Sequence, residues 1–224
     1  MAGMRSFAEI YEIAADRKGG EDVLESLLDR PKSPDELAAI PDDRWLAKFT
    51  QMIFNSGFNW KVVEAKWPGF EEAFAGFDVG RCSMMDDDWF DALLKDTGIV
   101  RHGAKIRSVR DNAVMLRDLA DHHGSAGRCF AEWPRENYAG LLELLKKRGN
   151  RLGGNTGAYA LRFMGVDSFI PSQDVVARLV AEGVIDKPPT SKTAMARVQS
   201  AFNEWAAESG RSFTEISRVL AMSV

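Results

Sequence analysis

Thiols and imidazoles are scarce in this sequence. It holds two cysteines, Cys82 and Cys129, and three histidines, His102, His122 and His123. The cysteines form no CxxC pair and suggest no disulfide framework, so they read as two ordinary thiols in a reducing compartment. So few histidines and cysteines leave no set of ligands for a structural zinc, and no cofactor is expected. Long apolar runs are missing too. Nothing approaches the roughly 18 consecutive apolar residues of a membrane-spanning helix, so no membrane partner is expected. The opening stretch carries Glu9, Glu12 and Asp16 and lacks the apolar centre of a signal peptide, which makes the cytoplasm the expected location. Alternating strand patterns, internal repeats and low-complexity tracts are also absent. Finally, there is no excess of positive charge: the net charge is −4, which does not by itself point to nucleic acid.

The charge is unevenly placed, however. Acidic groups gather at Asp86-Asp87-Asp88 and along the N-terminal third. Basic groups gather at Arg101, Lys105, Arg107 and Arg110, and again at Lys146, Lys147, Arg148 and Arg151. A locally basic face is sufficient for phosphate contact even on a mildly acidic protein.

Helix signals dominate the chain. Ser33-Pro34-Asp35-Glu36 and Ser212-Phe213-Thr214-Glu215 are capping boxes, the first with proline at the opening helical position. Tyr138, Leu141, Leu142, Leu144 and Leu145 form an apolar stripe that ends in Lys146, Lys147, Arg148 and Gly149. Ala194, Met195, Val198, Phe202 and Trp205 recur at helical spacing. The expected fold is all-α, with roughly ten helices of ordinary length. Punctuation falls at Gly19-Gly20, Trp67-Pro68-Gly69, Gly124 to Gly127, Gly149 to Gly157 and Pro188-Pro189, and His122-His123 reads as part of a polar loop. None of these is long enough for a domain linker, so residues 1–224 read as one unit with two possible lobes.

Two constellations carry chemistry. The first is a basic helix that runs into a glycine-rich turn and then into a second helix rich in small residues, within about residues 136–163. This is the layout of a helix-hairpin-helix. Glycine permits positive φ and close approach of a phosphate, and the free N–H groups opening the second helix favour an anion. Lys147, Arg148, Arg151, Gly153, Gly154, Asn155, Thr156 and Gly157 are therefore the candidate DNA-binding residues. The second is the aromatic turn from Phe54 to Lys61, which closes one amphipathic helix and opens another. Aromatic side chains beside such a turn can wedge into a base stack or support an extruded base, and Phe58 is the candidate wedge.

The run from Ser56 to Asp78 resembles the signature of the DNA-3-methyladenine glycosylase I family. Gly57, Phe58, Asn59 and Trp60 stand at the places of that family's turn, and Phe74, Phe77 and Asp78 at the close of its second helix. Gly98 to His102 with Ala104-Lys105-Ile106, then Asn112-Ala113, are similar to the family's next block. The hairpin with Tyr159, Phe163, Met164 and Gly165 continues the likeness, which runs from about Trp45 to Arg178.

The resemblance implies an all-α, two-lobed helix-hairpin-helix DNA glycosylase. Such an enzyme removes N3-methyladenine from double-stranded DNA with alkylated bases, by base flipping and hydrolysis of the N-glycosidic bond. No lysine stands where bifunctional relatives keep a Schiff-base amine, so a monofunctional enzyme is expected, and it is expected to act as a monomer. Methylation makes the base cationic, and stacking it on an indole gains roughly 0.5–2 kcal/mol. Trp60 occupies the family place for that role, and Tyr11 matches one of its pocket tyrosines.

The sequence departs from the family at two places. The family holds a zinc near its termini, whereas the matching positions here read Asp174 and Arg178. Packing and an Asp174–Arg178 pair are expected to join the termini instead. The family also recognises the damaged base with a glutamate just before the turn, and Met52 stands there. Gln51 or Asn55 can accept a hydrogen bond in its place but supplies no charge. Asp174 is the candidate for the acid that stabilises developing positive charge after the hairpin, with Gln173 an alternative in register. A catalytically altered or inactive DNA-damage-binding protein is the alternative reading.

Overall fold

The computed structural model describes residues 4–224. Among these residues there are fifteen α-helices and no strand. In chain order they are α1 (Phe7–Lys18), α2 (Glu21–Ser26), α3 (Pro34–Ala38), α4 (Asp42–Asn55), α5 (Trp60–Ala65), α6 (Trp67–Ala73), α7 (Val79–Ser83), α8 (Asp87–Lys95), α9 (Gly103–His123), α10 (Ala126–Ala131), α11 (Tyr138–Arg148), α12 (Asn155–Met164), α13 (Gln173–Ala181), α14 (Lys192–Ser209) and α15 (Phe213–Met222). Short 3-10 turns lie at Ala75–Phe77 and Arg135–Asn137.

The all-α expectation is met, with more helices than expected because α2, α3, α5, α6 and α7 have only five to seven residues each. Helices this short are unstable alone and persist because they bury an apolar residue. Both expected capping boxes form, at Ser33 and Ser212, and a further one forms at Ser6 with Glu9. Some of the expected breaks lie inside helices. Trp67-Pro68-Gly69 opens α6, where proline in the first turn loses no helical hydrogen bond. His122-His123 ends α9, whose stop is Gly124 at φ +84°.

The chain divides into two compact units. The first comprises the described residues up to Lys32, then Pro134–Gly140 and Gly165–Val224. Its core is aromatic: Phe169 lies 4.9 Å from Tyr138 and 4.5 Å from Phe202 between ring centroids. Helix α1 packs against α2, α14 and α15, and α13 packs against α15.

The second unit comprises Ser33–Trp133 and Leu141–Met164. Its spine is α9, the longest helix, against which α4, α7, α8 and α10 pack. Trp45 of α4 meets Phe130 of α10 at 4.6 Å, and both are buried. Burying one such ring is worth about 1.5–3 kcal/mol, more than a helix cap, so these contacts decide where the short helices sit. Helix α12 packs on α4, and this contact positions the site described next.

Candidate nucleic-acid interface and base platform

Helix α4 ends at Asn55, and the chain turns through Gly57 at φ +82° before Asn59 caps α5 by accepting from the Lys61 N–H at 3.0 Å. Only glycine adopts that φ readily, which is why the turn carries it. The turn leaves Trp60 half exposed, at 50%, as the first residue of α5, and Phe58 37% exposed beside it. The Trp60 indole meets the Phe163 ring edge to face at 6.4 Å, and Phe163 stacks on Tyr159 at 6.0 Å. Phe163 is itself 51% exposed. Large aromatic rings are ordinarily buried, so a contiguous exposed set marks a surface for a flat apolar ligand.

Phe163 and Tyr159 belong to α12, the second helix of the expected hairpin. The hairpin forms as α11, a turn from 149 to 154, and α12. Gly154 takes φ +59° as expected, and Arg151, unexpectedly for a residue with a side chain, takes φ +63°. A non-glycine residue held in the left-handed region stores strain of about 1 kcal/mol or more, which the surrounding hydrogen bonds must hold. Buried Asn112 of α9 supplies them: its amide donates to the Asn150 carbonyl at 3.1 Å, and its oxygen accepts from the Asn150 N–H at 2.8 Å. Gly157 lets α12 approach the turn, since a Cβ there would lie 2.5 Å from the Leu152 carbonyl oxygen.

A cavity of about 310 Å³ separates the aromatic turn from the hairpin, lined by Ile53, Ser56, Lys105, Arg151 and Gly153. Two of these five residues are cations. Burial lowers the Lys105 pKa, and the Arg151 charge lowers it further. The Lys105 ammonium is committed to the carbonyls of Ile53, Phe54 and Ser56, so Arg151 is the cation of this lining available to an anionic group. The basic residues of α11 are less free. Lys147 pairs with Glu143 at 3.2 Å and Arg148 with Asp118 at 3.0 Å, whereas no carboxylate among the described residues pairs with Arg151.

Trp60, Phe58, the cationic cavity and the glycine-lined hairpin thus lie in one unit. Residues 39–140, just under half of the chain, match the methyladenine glycosylase family.

Two solved structures share the fold of this chain. A single-residue variant of 3-methyladenine DNA glycosylase I in complex with 3-methyladenine aligns with 57% of this chain and 81% of its own, at 20% identity and a TM-score of 0.51. A variant of 3-methyladenine DNA glycosylase I from Staphylococcus aureus aligns with 68% of this chain and 91% of its own, at 18% identity and a TM-score of 0.52. The helical fold is the one those enzymes share.

The other candidate residues divide between the units. In the second unit, the oxygen of Gln51 accepts from the Lys48 ammonium at 2.7 Å, which engages one of its two lone pairs. Lys48 also stands 6.0 Å above the Phe163 ring, and its partial burial lowers its pKa. Met52 is 6% exposed and belongs to the core. Asn55 is 7% exposed, with a buried side-chain oxygen that has no hydrogen-bond partner. Phe58 stands edge to face with His102 at 6.0 Å, with the Lys105 ammonium 4.4 Å from its ring.

In the first unit, the Tyr11 hydroxyl donates to Glu25 at 2.7 Å, and Arg211 lies over its ring at 5.0 Å. Burial, with the Glu25 hydrogen bond, pushes the phenol up to about 12. Asp174 and Gln173 are both exposed in the first turn of α13, whose cap is Ser172. The expected Asp174–Arg178 pair does not form. Arg178 is buried, and its guanidinium donates to Glu182 at 3.1 Å and to the Ser223 hydroxyl at 2.8 Å and carbonyl. Arg5 completes this cluster: its backbone N–H donates to Glu182 at 3.1 Å and its guanidinium at 2.8 Å.

A zinc of the kind that the resemblance implies does not fit here. A guanidinium occupies one of the matching places, and among the described residues no three His, Cys, Asp or Glu are placed to hold a metal ion. The Arg5–Glu182–Arg178 cluster instead ties residues near both ends of the first unit.

Sequence reasoning misses Phe163 and Lys48 as site residues, and the anchoring roles of Lys105 and Asn112. A signal for Lys105 exists: it lies in register with Val109, Asn112, Ala113 and Leu116 on the buried face of α9, where a lysine is out of place without partners.

Proposed function

We propose that this protein is a monofunctional DNA glycosylase that removes N3-methyladenine from alkylated DNA. The observation that carries this reading is the Trp60–Phe163 contact, an exposed aromatic platform built partly from the hairpin itself. The backbone of double-stranded DNA lies along the hairpin, with Arg151 and the α12 N-terminus at phosphates. The damaged nucleotide is extruded, and its base stacks on the Trp60 indole, with Phe58 entering the gap it leaves. A base methylated at N3 is cationic and leaves without protonation, so the protein need only orient it and stabilise the oxocarbenium-like sugar while water attacks. The enzyme acts as a monomer in the cytoplasm.

One observation favours a second reading, a DNA-damage binder without excision. The place where the resemblance expects a carboxylate holds buried Met52, and the neighbouring Gln51 oxygen takes the Lys48 ammonium. Incubation with methylated duplex and chromatography of released bases separates the two readings. Release of 3-methyladenine supports the enzyme. No release, with salt-sensitive binding retained, establishes the binder, and no binding at low salt refutes both.

A further inference from the structure

Helix α9 touches both halves of the proposed site through two buried polar side chains on one face. Asn112 grips the hairpin at Asn150. Seven residues earlier, about 10 Å along the axis at 1.5 Å per residue, Lys105 grips the aromatic turn. Its ammonium donates to the carbonyls of Ile53 at 2.8 Å and Phe54 at 3.3 Å, and to that of Ser56. These are carbonyls at the C-terminal end of α4, where backbone acceptors have no helical partner and the helix dipole is negative. Lysine is 5% exposed here, and it also lies 4.4 Å from the Phe58 ring centroid.

We propose that Lys105 is a positioning residue for base extrusion: it clamps the turn that carries Phe58 and Trp60, while Asn112 clamps the hairpin, so that one rigid helix sets the register between platform and DNA anchor. Every hydrogen on the Lys105 ammonium is taken up by a backbone carbonyl. This commits the group to holding the turn and leaves none to donate to substrate. A rigid link is needed because misplacing a reacting base by about 1 Å can lower turnover by roughly a hundredfold.

The proposal rests on the base-excision reading, so its test has a readout that does not require excision. Amide hydrogen exchange is followed by mass spectrometry in full-length wild type, Lys105→Met and Asn112→Leu. Lys105→Met is expected to speed exchange in residues 54–62 and leave 149–157 unchanged, and Asn112→Leu to do the reverse. In base release from methylated duplex, Lys105→Met is expected to lower the single-turnover rate by roughly ten- to a hundredfold while affinity for undamaged duplex holds. Unchanged exchange in 54–62, or exchange raised throughout the chain, overturns the clamp. A localised exchange change with no base release by wild type keeps the clamp and refutes the glycosylase reading. Should Lys105→Met fail to fold, Lys105→Gln, which keeps a donor without the charge, is read by the same criteria.

Discussion

The indole of Trp60 and the ring of Phe163 meet edge to face, 6.4 Å between centroids at 78°. One side chain opens α5 and the other comes from the second helix of the hairpin, so the proposed DNA-holding motif and the proposed base platform touch directly. The geometry of an edge-to-face pair is worth about 0.5–1.5 kcal/mol beyond its buried area. That is enough to hold a rim and too little to keep a base out.

Trp60→Ala is expected to lower release of 3-methyladenine by roughly ten- to a hundredfold, since base–aromatic stacking is worth about 1–3 kcal/mol. Affinity for undamaged duplex should change little. Single-turnover release with a parallel binding titration checks both, and undiminished release removes Trp60 from the base site.

Charge reversal distinguishes the hairpin cations. Arg151→Glu is expected to weaken binding to all duplexes and to reduce the salt slope by about one unit for each phosphate the side chain neutralises in wild type. Lys147→Glu and Arg148→Glu should weaken it less, because those cations are already paired with Glu143 and Asp118. Titration over a range of salt concentrations decides, and an Arg151→Glu slope equal to wild type places that residue outside the interface.

Stability should fall in acid through Glu182. Burial alone would raise its pKa, but the Arg5 N–H, the Arg5 guanidinium and the Arg178 guanidinium outweigh it and hold the carboxyl below its ordinary 4.5. Because the folded value is depressed, the stabilisation is complete above about 4.5 and disappears as pH falls through the lower, folded value. Glu182→Gln leaves the Arg178 guanidinium buried without its counter-charge, at about 3–5 kcal/mol. It should also flatten the acid limb of the melting-temperature profile, and a limb of unchanged steepness rules the cluster out as its source.

Alanine substitutions test the hairpin backbone. Gly157→Ala forces a Cβ to within 2.5 Å of the Leu152 carbonyl oxygen and should separate α12 from the turn, lowering both melting temperature and DNA affinity. Gly153→Ala meets only the flexible Lys146 side chain at 3.4 Å and should be tolerated. Equal behaviour of the two variants contradicts the close approach.

Metal analysis of the purified protein should find no stoichiometric zinc. A tightly bound equivalent would mean that the arginine–glutamate cluster is not what joins the ends of the first unit.

The helical fold and the hairpin are legible in the sequence because capping boxes, apolar periodicity and glycine placement are local signals. Ser33, Ser212 and Gly154 each act within a few residues of their own position. The partners of charged residues are not legible. Spacing directs Arg178 back along its helix to Asp174, yet it is buried and reaches Ser223, 45 residues away, and Glu182. Gln51 reads as a free acceptor because nothing in its spacing shows that the Lys48 side chain folds back onto it. Lys105 sits in a basic cluster, and only tertiary packing distinguishes a lysine that bonds three carbonyls from one that faces phosphate.

The second unit uses no residue beyond Met164, whereas the first draws on stretches up to Val224. On the ribosome, therefore, the aromatic turn and the hairpin emerge and can close before α13, α14 and α15 have emerged. A nonsense codon soon after that of Met164 would release a chain with its hairpin formed and α1 lacking α14 and α15, the helices it packs against. Such a chain would expose α1 to proteases, so quality control rather than catalysis would set the fate of truncated alleles.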